Sequence, residues 1–164
     1  MTLIHDLAWV ALVGAGATVV LDLWLMGLRR LGARSLDMAL IGRWVGHLAR
    51  GRFAHAAIAK ADPVKGERAL GWATHYAIGV AIAGLLFIVL GREWIRAPTL
   101  LPAVAVGVGT VLAPLLVMQP AMGAGFASSR TPAPLKNSLR SVVNHGVFGV
   151  GLYAAAAVIA LVVQ

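Results

Sequence analysis

The sequence predicts an all-α membrane protein: a four-transmembrane-helix bundle of two parallel-repeat helical hairpins, with one interfacial amphipathic helix. Three observations predict it. Of 164 residues 60% are hydrophobic and 12% charged, with a mean hydropathy of +0.85, far outside the soluble globular range. Four apolar runs of about 20 residues each can cross the hydrocarbon core as helices. The basic residues gather in the connections between these runs, as loops on one side of a membrane do. One integral membrane domain, 1–164, is the unit this length allows.

The same composition excludes several classes. The net charge of +8 invites a nucleic-acid partner, but the basic residues alternate with apolar spans and no aromatic reading surface accompanies them. No nucleic acid is expected. There is no cysteine, which removes disulfides, thiolate metal sites and cysteine nucleophiles. The N-terminus lacks the basic start of a signal peptide, so the first apolar run is expected to stay in the mature protein.

Span one covers about residues 7–26, interrupted by Asp22 and closed by Arg29 and Arg30. At 100° per residue Ala11, Ala15, Thr18, Asp22 and Met26 share a stripe, and small residues on a stripe let a second helix come close. Asp22 should face protein. The connection 27–68 is basic, and residues 29–68 hold nine of the fourteen Lys and Arg. Within it Ser35 can cap a helix at about 36–50, where Leu40, Ile41, Trp44, Val45 and Leu48 keep helical spacing opposite Arg43 and Arg50. That pattern predicts a helix lying in the membrane surface, with His47 at the edge of its apolar face. Asp62-Pro63 and Gly66 then mark irregular chain.

Span two covers about 69–90, with Gly71, His75, Gly79 and Ala83 aligned, and a short turn with interfacial Trp94 follows at 91–98. Trp9, Trp24, Trp44 and Trp72 also suit interfacial belts. Span three covers about 100–118, with Ala103, Gly107, Thr110, Pro114 and Met118 aligned, and Pro114 should kink it. Residues 119–137 form a loop rich in Gly, Pro and Ser. Span four covers about 139–163, with Ser141, His145, Gly149, Leu152 and Ala156 aligned.

The connections after spans one and three, together with Arg140 at the start of span four, hold twelve Lys and Arg and the short turn two. Both long connections should therefore be cytoplasmic and both termini outside. Thr18-Val-Val-Leu-Asp-Leu-Trp-Leu-Met26 also lines up with Thr110-Val-Leu-Ala-Pro-Leu-Leu-Val-Met118, and the His75 region with the His145 region. That echo is the reason for expecting a parallel repeat.

Counting from the cytoplasmic ends at 1.5 Å per residue, Asp22, His75 and His145 each lie roughly 9 to 11 Å deep. They can share one layer, with Gln119 and Thr74 at its rim and His47 and His55 folded over it. Ionisable groups at such depth are costly unless paired or hydrated, which makes each a candidate. Three readings remain open. The layer can be a polar clasp between small-faced helices. It can be a ligand or ion site in which His47, His55, His75, His145 and Asp22 take a transition-metal ion, or relay protons for a small solute. It can also be a haem b site between His75 and His145, with Gly71, Gly79 and Gly149 leaving room for the macrocycle. A structural clasp should weaken when either histidine becomes alanine; a ligand site should not.

No catalytic residue stands out, since Ser128 and Ser129 lack a nearby base. The loop Gly123-Ala-Gly-Phe-Ala-Ser-Ser-Arg130 resembles an anion cradle but lacks the spacing and lysine of a P-loop. His5 reads as a solvated tail residue. Arg43, Arg50, Arg130, Lys136 and Arg140 suit anionic lipid headgroups. Four spans are few for a transporter, so a homo-oligomer or a larger membrane complex is the expected setting.

Together, Gly42-Arg-Trp-Val-Gly-His47, Gly51-Arg-Phe-Ala-His55, Pro63-Val-Lys-Gly-Glu-Arg-Ala-Leu-Gly-Trp72 with His75-Tyr76, Met118-Gln-Pro-Ala-Met-Gly-Ala-Gly125, and His145 with its following Gly-Leu-Tyr153 resemble a bacterial inner-membrane family catalogued as domain of unknown function 2938. The resemblance spans nearly the whole chain. It implies four spans and an inner-membrane location, and it implies no activity.

Overall fold

The computed structural model describes residues 3–33 and 37–162. These form α1 (Leu3–Arg30), α2 (Met38–Leu48), α3 (Glu67–Arg96), α4 (Leu100–Gly109), the single turn α5 (Gln119–Ala121) and α6 (Pro134–Val162). Four stretches are long and apolar enough to cross a membrane: α1, α3, the run Leu100–Ala121 that begins with α4, and α6. Large apolar side chains stand on the outside of all four, with Ile4, Ile88, Leu101 and Leu161 each more than 70% exposed. A surface of that kind suits lipid, and the protein is an all-helical membrane bundle.

Local chemistry sets the helix ends. Asp37 caps α2, its carboxylate accepting from the Ala39 N–H at 2.9 Å; Ser35, the residue expected there, lies outside the described residues. Gly91 takes φ 70° and ψ −175° inside α3, so the helix breaks where the sequence predicted a turn. Span three is interrupted more than the expected kink. Pro114 has no N–H for the carbonyl four residues back and its ring crowds that carbonyl. Accordingly α4 stops at Gly109, and a π-helical turn, Pro114–Met118, follows.

The chain divides into two compact units. Unit 1 comprises Met1–Arg34, Tyr76–Thr110 and Val143–Gln164. Its core joins Trp9, Val13 and Ala17 of α1, Ala83, Leu86, Trp94 and Ile95 of α3, Ala103 of α4, and Phe148, Leu152 and Ala156 of α6. Trp9 meets Trp94 nearly edge-on at 6.1 Å, so both are buried in protein where a belt would have them face headgroups. Buried Asp6 is ion-paired with Arg92. In α4 and α6, a Cβ on Gly107 would lie 2.6 Å from the Gly149 Cα, and one on Gly149 would lie 2.7 Å from the Val104 Cα. These backbones touch because both residues lack side chains.

Unit 2 comprises Ser35–His75 and Val111–Val142. Here α2 lies on the first turns of α3, and the Cβ positions of Gly42 and Gly71 are filled by the Glu67 and Met38 carbonyl oxygens. Arg43 fastens the same contact. Its guanidinium donates twice to the Glu67 carboxylate, at 2.8 and 2.9 Å, and to the Ala59 and Ala61 carbonyls at 3.2 and 3.1 Å. The loop after α2 then runs beside α5, with the His55 N–H donating to the Ala121 carbonyl at 2.8 Å and the Ile58 N–H to that of Met122 at 3.0 Å.

Candidate functional site

In unit 1 two pairs of polar side chains join the spans. Asp22 is half-buried on α1 and accepts from the Tyr76 hydroxyl at 3.1 Å. Two residues on, the Trp24 indole donates to the Asn144 side-chain carbonyl at 3.1 Å. Neither Tyr76 nor Asn144 was singled out from sequence, although each is a polar residue next to a histidine in an apolar run.

His145 sits where α4 gives out. The Thr110 hydroxyl donates to the Gly107 carbonyl at 2.6 Å. The His145 Nδ1 lies 3.0 Å from that hydroxyl oxygen and 3.2 Å from the same carbonyl. A carbonyl only accepts, so the hydrogen-bond network puts the hydrogen on Nδ1 and leaves the lone pair on Nε2. Imidazoles that act as bases or ligands are commonly oriented this way by a second partner. His145→Ala should cost about 0.6 to 2 kcal/mol, the range for an interhelical hydrogen bond; lost stability here does not tell a clasp from a site, because Nδ1 is engaged structurally while the lone pair stays on Nε2. Thermal melting in one fixed detergent checks it.

Unit 2 holds His47, His55, His75 and Gln119. His75, half-buried on α3, has its ring 5.8 Å from that of Trp72. Gln119 accepts from the buried Ser128 hydroxyl at 2.9 Å. This bond braces a strained loop, in which Ala127 and Ser128 take φ of 47° and 62°, a region that costs side-chain-bearing residues energy. Arg43, assigned to headgroups by the sequence, has its guanidinium engaged by Glu67 and backbone carbonyls. Arg50 and Arg130 are exposed and Arg140 is half-buried.

The two loop histidines meet. His47 and His55 have ring centroids 4.9 Å apart with planes at 82°, and both are only 6% exposed. The His47 Nε2 donates to the Asp62 carbonyl at 2.9 Å, which leaves its Nδ1 as the acceptor. Neither ring nitrogen of His55 makes a hydrogen bond of good geometry in the protein. Burial, chiefly, lowers the His55 pKa below the usual 6.5, with Arg52 and His47 adding to the effect and the Ala121 backbone opposing it. The unfolded chain therefore takes up this proton first as pH falls. Metal-free protein should lose stability progressively below about pH 6.5, and the loss should level off below the lowered folded-state value. Melting curves between pH 7.5 and 4.5, compared with those of His55→Gln, test the sign.

Among the described residues no group of three or more His, Cys, Asp and Glu side chains could hold a metal ion. The glycines offered to a haem are also in use. The Cβ position of Gly71 is filled by the Met38 carbonyl, that of Gly79 by the Thr18 hydroxyl, and that of Gly149 by α4 backbone. Purified protein should accordingly be colourless, with no Soret band.

No curated protein and no solved structure matches the chain. A family model described as a protein of unknown function (DUF2938) matches residues 11–159, which take in Asp22, His47, His55, His75, Gln119 and His145, and the chain belongs to that family.

Proposed function

We propose that this protein binds and passes a proton, alone or with a small polar solute, through the bacterial inner membrane, by a polar site that opens to the cytoplasm. The observation that carries the reading is His145. It lies in an apolar span with Nδ1–H spent on the Gly107 carbonyl at the point where α4 ends, so Nε2 is kept as a base inside the bilayer. Interrupted helices with polar groups at the break are the usual construction of membrane binding sites. Asp22, held by Tyr76 in the same unit, supplies a second proton acceptor. The excess of Lys and Arg in the two long connections supports the cytoplasmic opening. The surroundings are the bilayer with its anionic headgroups, met by Arg50, Arg130 and Arg140, and a homo-oligomer or larger complex completes the path.

The test uses the proton as its own probe. Protein in sealed vesicles, with a pH-sensitive dye inside and a potassium–valinomycin potential imposed, should acidify the lumen faster than empty vesicles. His145→Asn and Asp22→Asn should return the rate to that of empty vesicles. Equal rates for wild type, both variants and empty vesicles sink the proposal.

A further inference from the structure

We infer that His47 and His55 form a binding site for a divalent transition-metal ion of the zinc class, separate from the proton site and independent of that reading. Three observations point to one ligand. First, His47 is arranged as metal-bound histidines are: its Nε2–H is held by the Asp62 carbonyl at 2.9 Å, which fixes the ring and keeps the lone pair on Nδ1. Second, the imidazole of His55 is 6% exposed and makes no hydrogen bond of good geometry at either nitrogen, the Ala121 backbone acting on it only weakly. An unmade hydrogen bond at a buried polar group is unfavourable, and a metal ion takes up one of its lone pairs. Third, the ring centroids are 4.9 Å apart. Two imidazoles on one tetrahedral zinc, with bonds of about 2.0 to 2.1 Å, have ring centres roughly 5 Å apart.

The fold fixes both ligands. His47 lies in the last turn of α2, which Arg43 and Glu67 tie to α3. His55 is tied by its backbone N–H to Ala121. Imidazole nitrogen suits zinc, copper and nickel and disfavours magnesium and calcium. Two protein ligands leave two positions of a tetrahedral ion open. Arg52, which acts electrostatically on His55, makes a neutral or anionic molecule the fitting occupant of those positions. The site is therefore built for exchangeable rather than structural metal.

The experiment uses the full chain, chelator-washed, free of affinity tag and carrying His5→Ala to remove a surface imidazole. Zinc chloride titrated calorimetrically into detergent-solubilised protein at pH 7.5 should bind at one ion per chain and raise the melting temperature. His47→Gln and His55→Gln should each weaken binding about tenfold or more, whereas His145→Asn should bind zinc as wild type does. Cobalt(II) should give wild-type protein the intense visible bands of a tetrahedral site, a readout that stands even where a variant fails to fold. The inference is overturned if wild type binds no zinc, if both glutamine variants bind as wild type does, or if the cobalt bands are missing. Loss of zinc binding in His145→Asn would overturn the independence of the two sites, while unimpaired proton flux in His55→Gln would support it.

Discussion

Gly149→Leu is expected to destabilise the protein by more than the about 1 to 3 kcal/mol typical of an overpacked interior. The added side chain would have to enter where α4 backbone already lies, with its Cβ 2.7 Å from the Val104 Cα and 2.9 Å from the Ala103 carbonyl oxygen. Backbone cannot rotate aside as a flexible side chain can, so the two helices must part. Within a bilayer that loss is not offset by a hydrophobic drive to re-pack, because lipid tails are as apolar as leucine. Parting them also stretches the His145 contacts to Gly107 and Thr110, which join the same two helices. Gly149→Ala should show the smaller end of the effect. Gly109→Ala is the control, since nothing lies within 4 Å of its added Cβ. Denaturation in SDS of the three variants, side by side, decides it: equal midpoints for Gly149→Leu and Gly109→Ala would mean the close crossing is wrong.

That crossing also marks how far the sequence could be read. The spans were legible because a bilayer demands about 20 apolar residues in a row, and Pro114 announced the defect in span three. The amphipathic spacing of 38–48 was legible for the same kind of reason, since one helix writes its own period. The glycines were legible as small positions but not as to what fills them. Gly71, Gly79 and Gly149 look identical in sequence whether a cofactor, a carbonyl or a helix backbone approaches. The partners Tyr76 and Asn144 stand beside the histidines, but both are uncharged at neutral pH and so are less conspicuous in an apolar run than an ionised or titrating group. Least legible was the meeting of His47 with His55. It depends on the loop after α2 pairing its backbone with residues 121 and 122, a long-range register that no periodicity encodes. The Arg43–Glu67 pair was missed likewise, although Glu67 is one of only six acidic residues in the chain.

His55→Leu should make metal-free protein more stable, by about 1 to 3 kcal/mol, which is the cost of leaving a buried polar group without a partner. Most substitutions of buried residues destabilise, so the sign is the informative part. Leucine roughly conserves the volume of the ring and needs no hydrogen bond, whereas the native imidazole is desolvated with no hydrogen bond of good geometry at either nitrogen. The gain should be present at pH 7.5 and larger at pH 5. At the lower pH the wild-type unfolded chain gains a proton that the folded protein resists taking up, because burial lowers the His55 pKa. With leucine that part of the acid sensitivity disappears. The same variant should gain nothing from zinc, while wild type is stabilised by zinc in proportion to the logarithm of its concentration above the dissociation constant. Melting curves with and without chelator, at both pH values, give four comparisons from one pair of proteins. A destabilised His55→Leu in chelator would mean that the imidazole has a partner, such as a buried water, that satisfies it in the empty protein. The stability difference at pH 7.5 would then measure that partner instead of the cost of an open metal site.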